Sequence, residues 1–274
     1  MQLTSLAKKI LFFLKKKNKL LYFFNLIFNI FSNNKYYSSN RIFNLMNKKK
    51  NGKDLNFFIK EIIEDNYLQE TWNKHKNTLG PSKYFSWESS IYKRIGQVLI
   101  FYALIRILRP KNVIETGTAS GSVTSFILAA LNKNKFGTLT SIDLPPKKNK
   151  LTMNFFLKRQ KVGFWIPLKY RSRWHYLEGD ALFLLPKVLK KIKPDIFFHD
   201  SLHTASHMTF EYAIARLFVK KSGLIISDDT NWNNSFDCFL KSQNLIGYTP
   251  YENPTMSFFV NSFSKEEIQN SKRG

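Results

Sequence analysis

From residue 112 onward, short apolar runs alternate with longer segments of helical periodicity. "NVIET" (112–116), "GTLTSID" (137–143), "WHYLEGD" (174–180), "DIFFHD" (195–200) and "GLIISDD" (223–229) are brief apolar runs that stop at a polar or acidic residue. Between them, "SVTSFILAALNK" (122–133), "ALFLLPKVLKKI", "ASHMTFEYAIARLFV" and "SFDCFLKSQ" place apolar residues at the spacing of one buried helix face. Two closing runs, "LIGYTP" and "MSFFVNSF", are close enough to pair antiparallel. Strands separated by helices predict an α/β class chain. Its doubly wound, mostly parallel sheet of seven strands should be covered on both faces.

The upstream half has a different pattern. Residues 55–110 read as a helical lead-in: "LNFFIKEIIEDNYLQETW" and "SIYKRIGQVLIFYALIRIL" are helical in period, with "LGPS" between them and Arg109-Pro110 as a stop. Residues 1–54 read as a basic amphipathic arm and linker. On a helix, Leu20, Phe23, Phe24, Ile27 and Phe31 would share one face and Asn18, Asn25 and Asn29 the other. The run Leu20–Phe31 is shorter than the roughly 20 residues that span a bilayer, and Lys15 to Lys17 interrupt any longer one. Two readings stand side by side. The arm lies on an anionic membrane surface, at the inner face of the membrane, or it packs on the rest of the chain or on a second copy. "SNNKYYSSN" (32–40) and "NKKKNGKD" (47–54) read as linkers. Residues 111–264 form the ligand-binding domain and 265–274 a polar tail.

Charge and cysteine content narrow the partners. The net charge is +24, and thirteen basic residues against one acid, Asp54, fall within residues 1–60. Such a charge attracts polyanions, nucleic acid and anionic lipid included. Its unevenness describes a basic arm on a generally basic chain better than a single nucleic-acid groove. The lone Cys238 excludes an internal disulfide, argues against a cysteine zinc site and fits a reducing compartment such as the cytoplasm.

In a sheet of this kind, ligands sit at the C-terminal strand ends. The first of these strands runs into "ETGTASGS", Glu115 to Ser122, where Gly117 and Gly121 flank a tight turn into a helix. Glycine lets backbone N–H groups approach a ligand closely. The Gly-x-x-x-Gly spacing differs from the pyrophosphate fingerprint, and the P-loop lysine is missing. Glu115 would repel a phosphate and suits a cationic, zwitterionic cofactor. Asp143 closes the second strand, where a carboxylate can accept both ribose hydroxyls. Gly179-Asp180 closes the third and can receive an exocyclic amine. Each of these two aspartates also reads as a helix N-cap.

The next two strands close with Asp200 and with Asp228-Asp229. Neighbouring strands lie about 5 Å apart, so three carboxylates would crowd one edge. They would share a proton or bind a cation. Oxygen ligands without cysteine favour a hard ion such as Mg²⁺. The alternative is that one aspartate caps a helix while another faces solvent. In "FFHDSLHTASH", His203 and His207 could share a helix face, but a zinc-protease helix needs Glu after the first His, and Thr204 stands there. His207 reads as structural or as pocket wall. His199 should face away from Asp200 by strand alternation.

The ordered set Glu115, Gly117, Gly121, Asp143 and Asp180 resembles the class I S-adenosylmethionine-dependent methyltransferases over residues 90–262. That resemblance implies their Rossmann-like fold. Gly117 and Gly121 would lie at the methionine moiety, Asp143 at the ribose and Asp180 at the adenine side, with Glu115 and Ser122 also among the cofactor-binding residues. Asp-x-x-His followed by an acidic pair resembles a narrower group. It comprises metal-dependent O-methyltransferases of macrolide sugars and rhamnosyl glycosides, with their cephalosporin-hydroxylase-like relatives. The resemblance implies Asp200, Asp228 and Asp229 as Mg²⁺ ligands and His203 as general base. Ser222 departs from the group where a second glycine is common, and the basic arm is not explained by it. The expected function is methyl transfer to a hydroxyl of a saccharide or other small hydroxylated acceptor. An RNA ribose methyltransferase and a non-catalytic, membrane-associated cofactor-fold protein are the alternatives. Base N-methylation would carry Asn-Pro-Pro-aromatic where "HDSLH" stands. Residues 146–174, with Trp165 and Tyr170, would cover the site or else pack Phe155, Phe156 and Trp165 into the core. Helices within 55–108 offer a surface for a homo-oligomer.

Overall fold

The computed structural model describes residues 34–37, 55–75, 100–145, 160–250 and 253–261. The amphipathic segment expected within residues 1–33, the linker at 47–54, the first half of the expected cover and the polar tail lie outside the described residues.

Eight strands form one sheet: β1 Asn34–Tyr37, β2 Asn112–Thr116, β3 Thr138–Asp143, β4 Trp174–Glu178, β5 Ile196–His199, β6 Leu224–Ser227, β7 Gly247–Pro250 and β8 Ser257–Val260. Their order is β1-β7-β8-β6-β5-β2-β3-β4. Strands β2 to β6 run parallel to their neighbours, while β8 is antiparallel to both β6 and β7. The seven strands expected are β2 to β8, each within its predicted run. The eighth, β1, comes from the segment read as a linker and pairs parallel with β7. Tyr36 and Tyr37 favour extended backbone, but the surrounding Asn and Ser look like loop.

The helices are α1 Leu55–Ile63, α2 Asn66–His75, α3 Ile100–Leu108, α4 Ser122–Asn134, α5 Ala181–Ile192, α6 Ala205–Phe218 and α7 Ser235–Ser242. Alternation along the strands feeds two cores. Val113, Phe198, Ile226 and Phe258 join side chains of α1 to α4 on one face. Ile114, Phe197, Ile225 and Phe259 join α5 to α7 on the other. This is why β5 and β6 are buried throughout and apolar up to their last residues, His199 and Ser227. No helix among the described residues is long and apolar enough to cross a membrane.

The single helix expected over 55–72 is broken. Asp65 accepts a hydrogen bond from Leu68 N at 3.0 Å and so starts α2 as an N-cap. Helix α1 is tied to α3 by a two-pronged ion pair. Arg106 Nε and a terminal nitrogen donate to Glu61 at 2.8 and 2.9 Å, and Arg106 also reaches Asn134. Burial would raise the Glu61 pKa, but Arg106 lowers it below its ordinary 4.5. The side chains are only 13% and 11% exposed. Arg106→Met should therefore cost about 2–4 kcal/mol in urea unfolding near neutral pH. The sign of the pH dependence follows. A depressed carboxylate pKa stabilises the fold above the unfolded value and loses that stabilisation as pH falls through the folded one. The gap between wild type and Arg106→Met should thus close below about pH 4.5.

Candidate functional site

Backbone hydrogen bonds bring the C-terminal strand ends to one level. Asp200 N donates to Thr116 O, Asp228 N to His199 O and Gly117 N to Ile142 O, each at 2.9 Å. At that level lies a cavity of about 380 Å³. Gly117, Ala119, Asp143 and Asp180 line one side; Asp200, Ser201, Leu202, His203, His207 and Trp232 line the other.

The turn after β2 is shaped by steric necessity. Gly117 has φ +81°, and a Cβ there would stand 1.8 Å from Asp200 O. Gly121 has φ +83°, and its Cβ would stand 2.7 Å from the Ile166 side chain and 2.9 Å from the Gly163 Cα. Gly117 therefore abuts the β5 loop and faces the cavity. Gly121 is instead covered by residues 163–166, which hydrogen-bond the turn through Gly163 N to Ala119 O and Trp165 N to Ser120 O, each at 2.9 Å. Gly121 and Ser122 do not line the cavity.

Glu115 also differs from expectation. It is 1% exposed and accepts from Ser141 Oγ at 2.6 Å and Thr124 Oγ1 at 3.0 Å. Burial pushes its pKa up to about 7 against those hydrogen bonds. The carboxylate points into the protein because α4 and β3 offer hydroxyl donors there, so it ties the two elements together behind the turn.

Asp143 lines the cavity and also braces the turn. Its Oδ2 accepts from Thr118 N at 2.9 Å and Ala119 N at 2.6 Å, and its Oδ1 from Leu144 N at 2.7 Å. Burial raises its pKa despite these donors. A carboxylate offers about four acceptor positions, so capacity for a ligand remains. Asp180 is the N-cap of α5, accepting from Leu182 N at 2.9 Å through Oδ1. Asp180 is thus both a cap and part of the cavity lining, whereas Asp143 braces the turn after β2 instead of starting a described helix.

Across the cavity, His203 Nε2 lies 3.8 Å from Asp200 Oδ1 and 3.8 Å from Asp229 Oδ2. This nitrogen is buried and has no hydrogen-bond partner. Burial, then the nearby His199, lowers the His203 pKa. Its ring meets Trp232 edge-on at 5.4 Å. Burial raises Asp200 well above the ordinary carboxylate range, with Asp228 as the next cause. Burial and Asp229 raise Asp228 to about 6. Asp229 itself sits at φ +50°.

Among the described residues no group of three His, Cys, Asp or Glu side chains, the expected Asp200, Asp228 and Asp229 included, is arranged so as to hold a metal ion by itself. Asp229 lies beside His203 at the same 3.8 Å as Asp200 and is the charged neighbour that most raises Asp228. His207 belongs to the wall, as expected, and lies next to a residue that the sequence did not single out. That residue is Glu211, wholly buried on α6. It lies four residues beyond His207 on a face that is otherwise apolar, and that is the signal a sequence reading could have used.

Residues 114–230 match a family model described as a methyltransferase domain. No curated protein sequence matches the chain. An S-adenosylhomocysteine-bound methyltransferase from Podospora anserina has the same fold at a TM-score of 0.51 and 12% identity, with 80% of this chain and 93% of that one covered. An O-methyltransferase from Bacillus cereus in complex with S-adenosylhomocysteine aligns at a TM-score of 0.46 and 15% identity, covering 72% of this chain and 91% of that one. The MycE methyltransferase of the mycinamycin biosynthetic pathway, in complex with Mg, S-adenosylhomocysteine and mycinamycin VI, aligns at 0.43 and 16% identity, covering 74% and 56%.

Proposed function

We propose that this methyltransferase domain, residues 114–230, moves a methyl group from S-adenosylmethionine to a hydroxyl of a saccharide or another small hydroxylated acceptor. The observation that carries the reading is one shared cavity, with the Gly117 turn, Asp143 and Asp180 on one wall and His203 beside Asp200 on the other.

The cofactor wall fits its ligand. Gly117 lets the turn close against the Asp200 backbone and still line the cavity, while Asp143 keeps acceptor capacity for ribose hydroxyls and Asp180 Oδ2 for the adenine amine. The bound cofactor supplies a methyl group on a sulfonium, which is open to in-line attack by an oxygen. The metal side is tested by its donor set. On top of burial, Asp228 and Asp229 both push Asp200 up, and Asp229 pushes Asp228 up, a repulsion that a hard divalent ion relieves. Mg²⁺ needs only one or two protein carboxylates, with water or substrate completing its shell. Asp200 and Asp228 would hold it, with Asp229 adjacent. When bound, it would lower the pKa of the acceptor hydroxyl and orient it.

His203 receives the hydroxyl proton at Nε2. Its lowered pKa keeps the imidazole neutral near pH 7 and able to accept, and the Asp229 carboxylate at 3.8 Å stabilises the imidazolium that results. Burial of the ring keeps bulk water from competing for the same nitrogen. Calorimetric titration with S-adenosylmethionine tests the premise. A one-to-one complex supports the reading, and absence of binding rejects it in favour of a non-catalytic role.

A further inference from the structure

Behind the acceptor wall lies a carboxylate that the proposed reaction does not use. Glu211, 0% exposed, accepts four hydrogen bonds. Its Oε2 takes Thr116 Oγ1 at 2.6 Å and His199 Nδ1 at 2.7 Å. Its Oε1 takes His207 Nε2 at 2.9 Å and Ser201 Oγ at 3.0 Å.

The positions of the donors matter. Thr116 and His199 are the last residues of β2 and β5, next to Gly117 and Asp200. Ser201 and His207 line the cavity and bracket His203. One anion therefore clamps both ends of the segment 199–207, where Asp200 and His203 reside. Burial alone would make this carboxylate neutral, but the hydrogen bonds from His199 and His207 bring its pKa down to about 2. An apolar side chain would fill the same volume without any desolvation cost. A carboxylate at this place has to be explained by what it orders.

We propose that Glu211 is a positioning residue, a buried anion whose four hydrogen bonds hold the Asp200–His207 loop so that His203 faces the cavity. The inference rests on the reading of Asp200 and His203 given above. Glu211 touches the acceptor wall and the β2 end but neither Asp143 nor Asp180. Its loss should therefore loosen the reaction side and spare cofactor binding.

The test compares wild type with Glu211→Gln and Glu211→Asp in the full chain. Glutamine keeps the volume but brings its own N–H donors against those of His199 or His207. In Glu211→Gln, amide hydrogen exchange of residues 200–207 in the cofactor-free chain should quicken about tenfold or more. The kcat should fall about 10–100-fold with S-adenosylmethionine affinity within about threefold, and Glu211→Asp should recover part of it. If Glu211→Gln does not fold, Ser201→Ala and Thr116→Val each remove one donor and should give smaller changes of the same kind. Unchanged exchange and kcat would overturn the inference. So would a proportional loss of cofactor affinity, kcat and melting temperature, which marks a merely structural role. Should wild type transfer no methyl group at all, the functional reading falls, while the exchange measurement still decides whether Glu211 anchors the loop.

Discussion

Replacing His203 with glutamine is expected to lower kcat by about 10²–10⁴-fold while S-adenosylmethionine affinity stays within about threefold. Nε2 is buried without a hydrogen-bond partner and lies 3.8 Å from a carboxylate oxygen of both Asp200 and Asp229. An unsatisfied buried nitrogen costs free energy, so a role for it must be found. The His203 ring lines the cavity, which lets an acceptor hydroxyl reach it. Glutamine preserves polarity and approximate size but cannot take a proton at neutral pH. Steady-state kinetics with calorimetry on the same preparation check the split. A variant with kcat within about twofold of wild type removes His203 from the chemistry.

Gly117→Ala should have the second largest effect, and on the cofactor side. The added carbon would meet Asp200 O at 1.8 Å and Asp200 C at 2.4 Å, at a residue whose φ is +81°. The obstacle is backbone, which cannot rotate away as a side chain can. Overpacking and left-handed strain together should cost about 2–5 kcal/mol. The β2 turn and the β5 loop must separate to accept the methyl, and they carry the two walls of the cavity. Both the urea midpoint and S-adenosylmethionine affinity should fall, the latter by more than about tenfold. Unchanged affinity in a folded variant would show that the turn does not shape the cofactor wall.

The parallel sheet was legible because β2, β5 and β6 carry apolar runs and α5 and α6 each bury one face, although α4 is buried nearly all round. Helix α5 occupies the residues expected for it, with Asp180 as cap. Strand β1 was hidden because an edge strand needs only backbone partners, and β7 supplies them. The break between α1 and α2 turns on Asp65 acting as a cap within a sequence that otherwise keeps one helical period.

At the site, types and positions were legible, but the directions of side chains were not. Asp143, Asp180, Asp200 and His203 reach one cavity because strand ends of a parallel sheet are coplanar. Glu115 does not, since Ser141 and Thr124 draw it inward. Gly121 packs against Ile166 and Gly163 across the turn. No spacing along the chain reveals contacts made by residues so far downstream. Glu211 was missed for the same reason. Three of its four partners come from β2, β5 and the loop after β5, which only the fold brings to α6.

The reaction proposed for this chain is methyl transfer to a hydroxyl with help from a divalent ion held by Asp200 and Asp228. The most direct measurement incubates the full chain with methyl-labelled S-adenosylmethionine and fractionated cell extract, with and without EDTA. The account predicts label in a small hydroxylated product as an ether, lost with EDTA and restored by added Mg²⁺. Label entering RNA, label on nitrogen or carbon, or transfer indifferent to EDTA would contradict it.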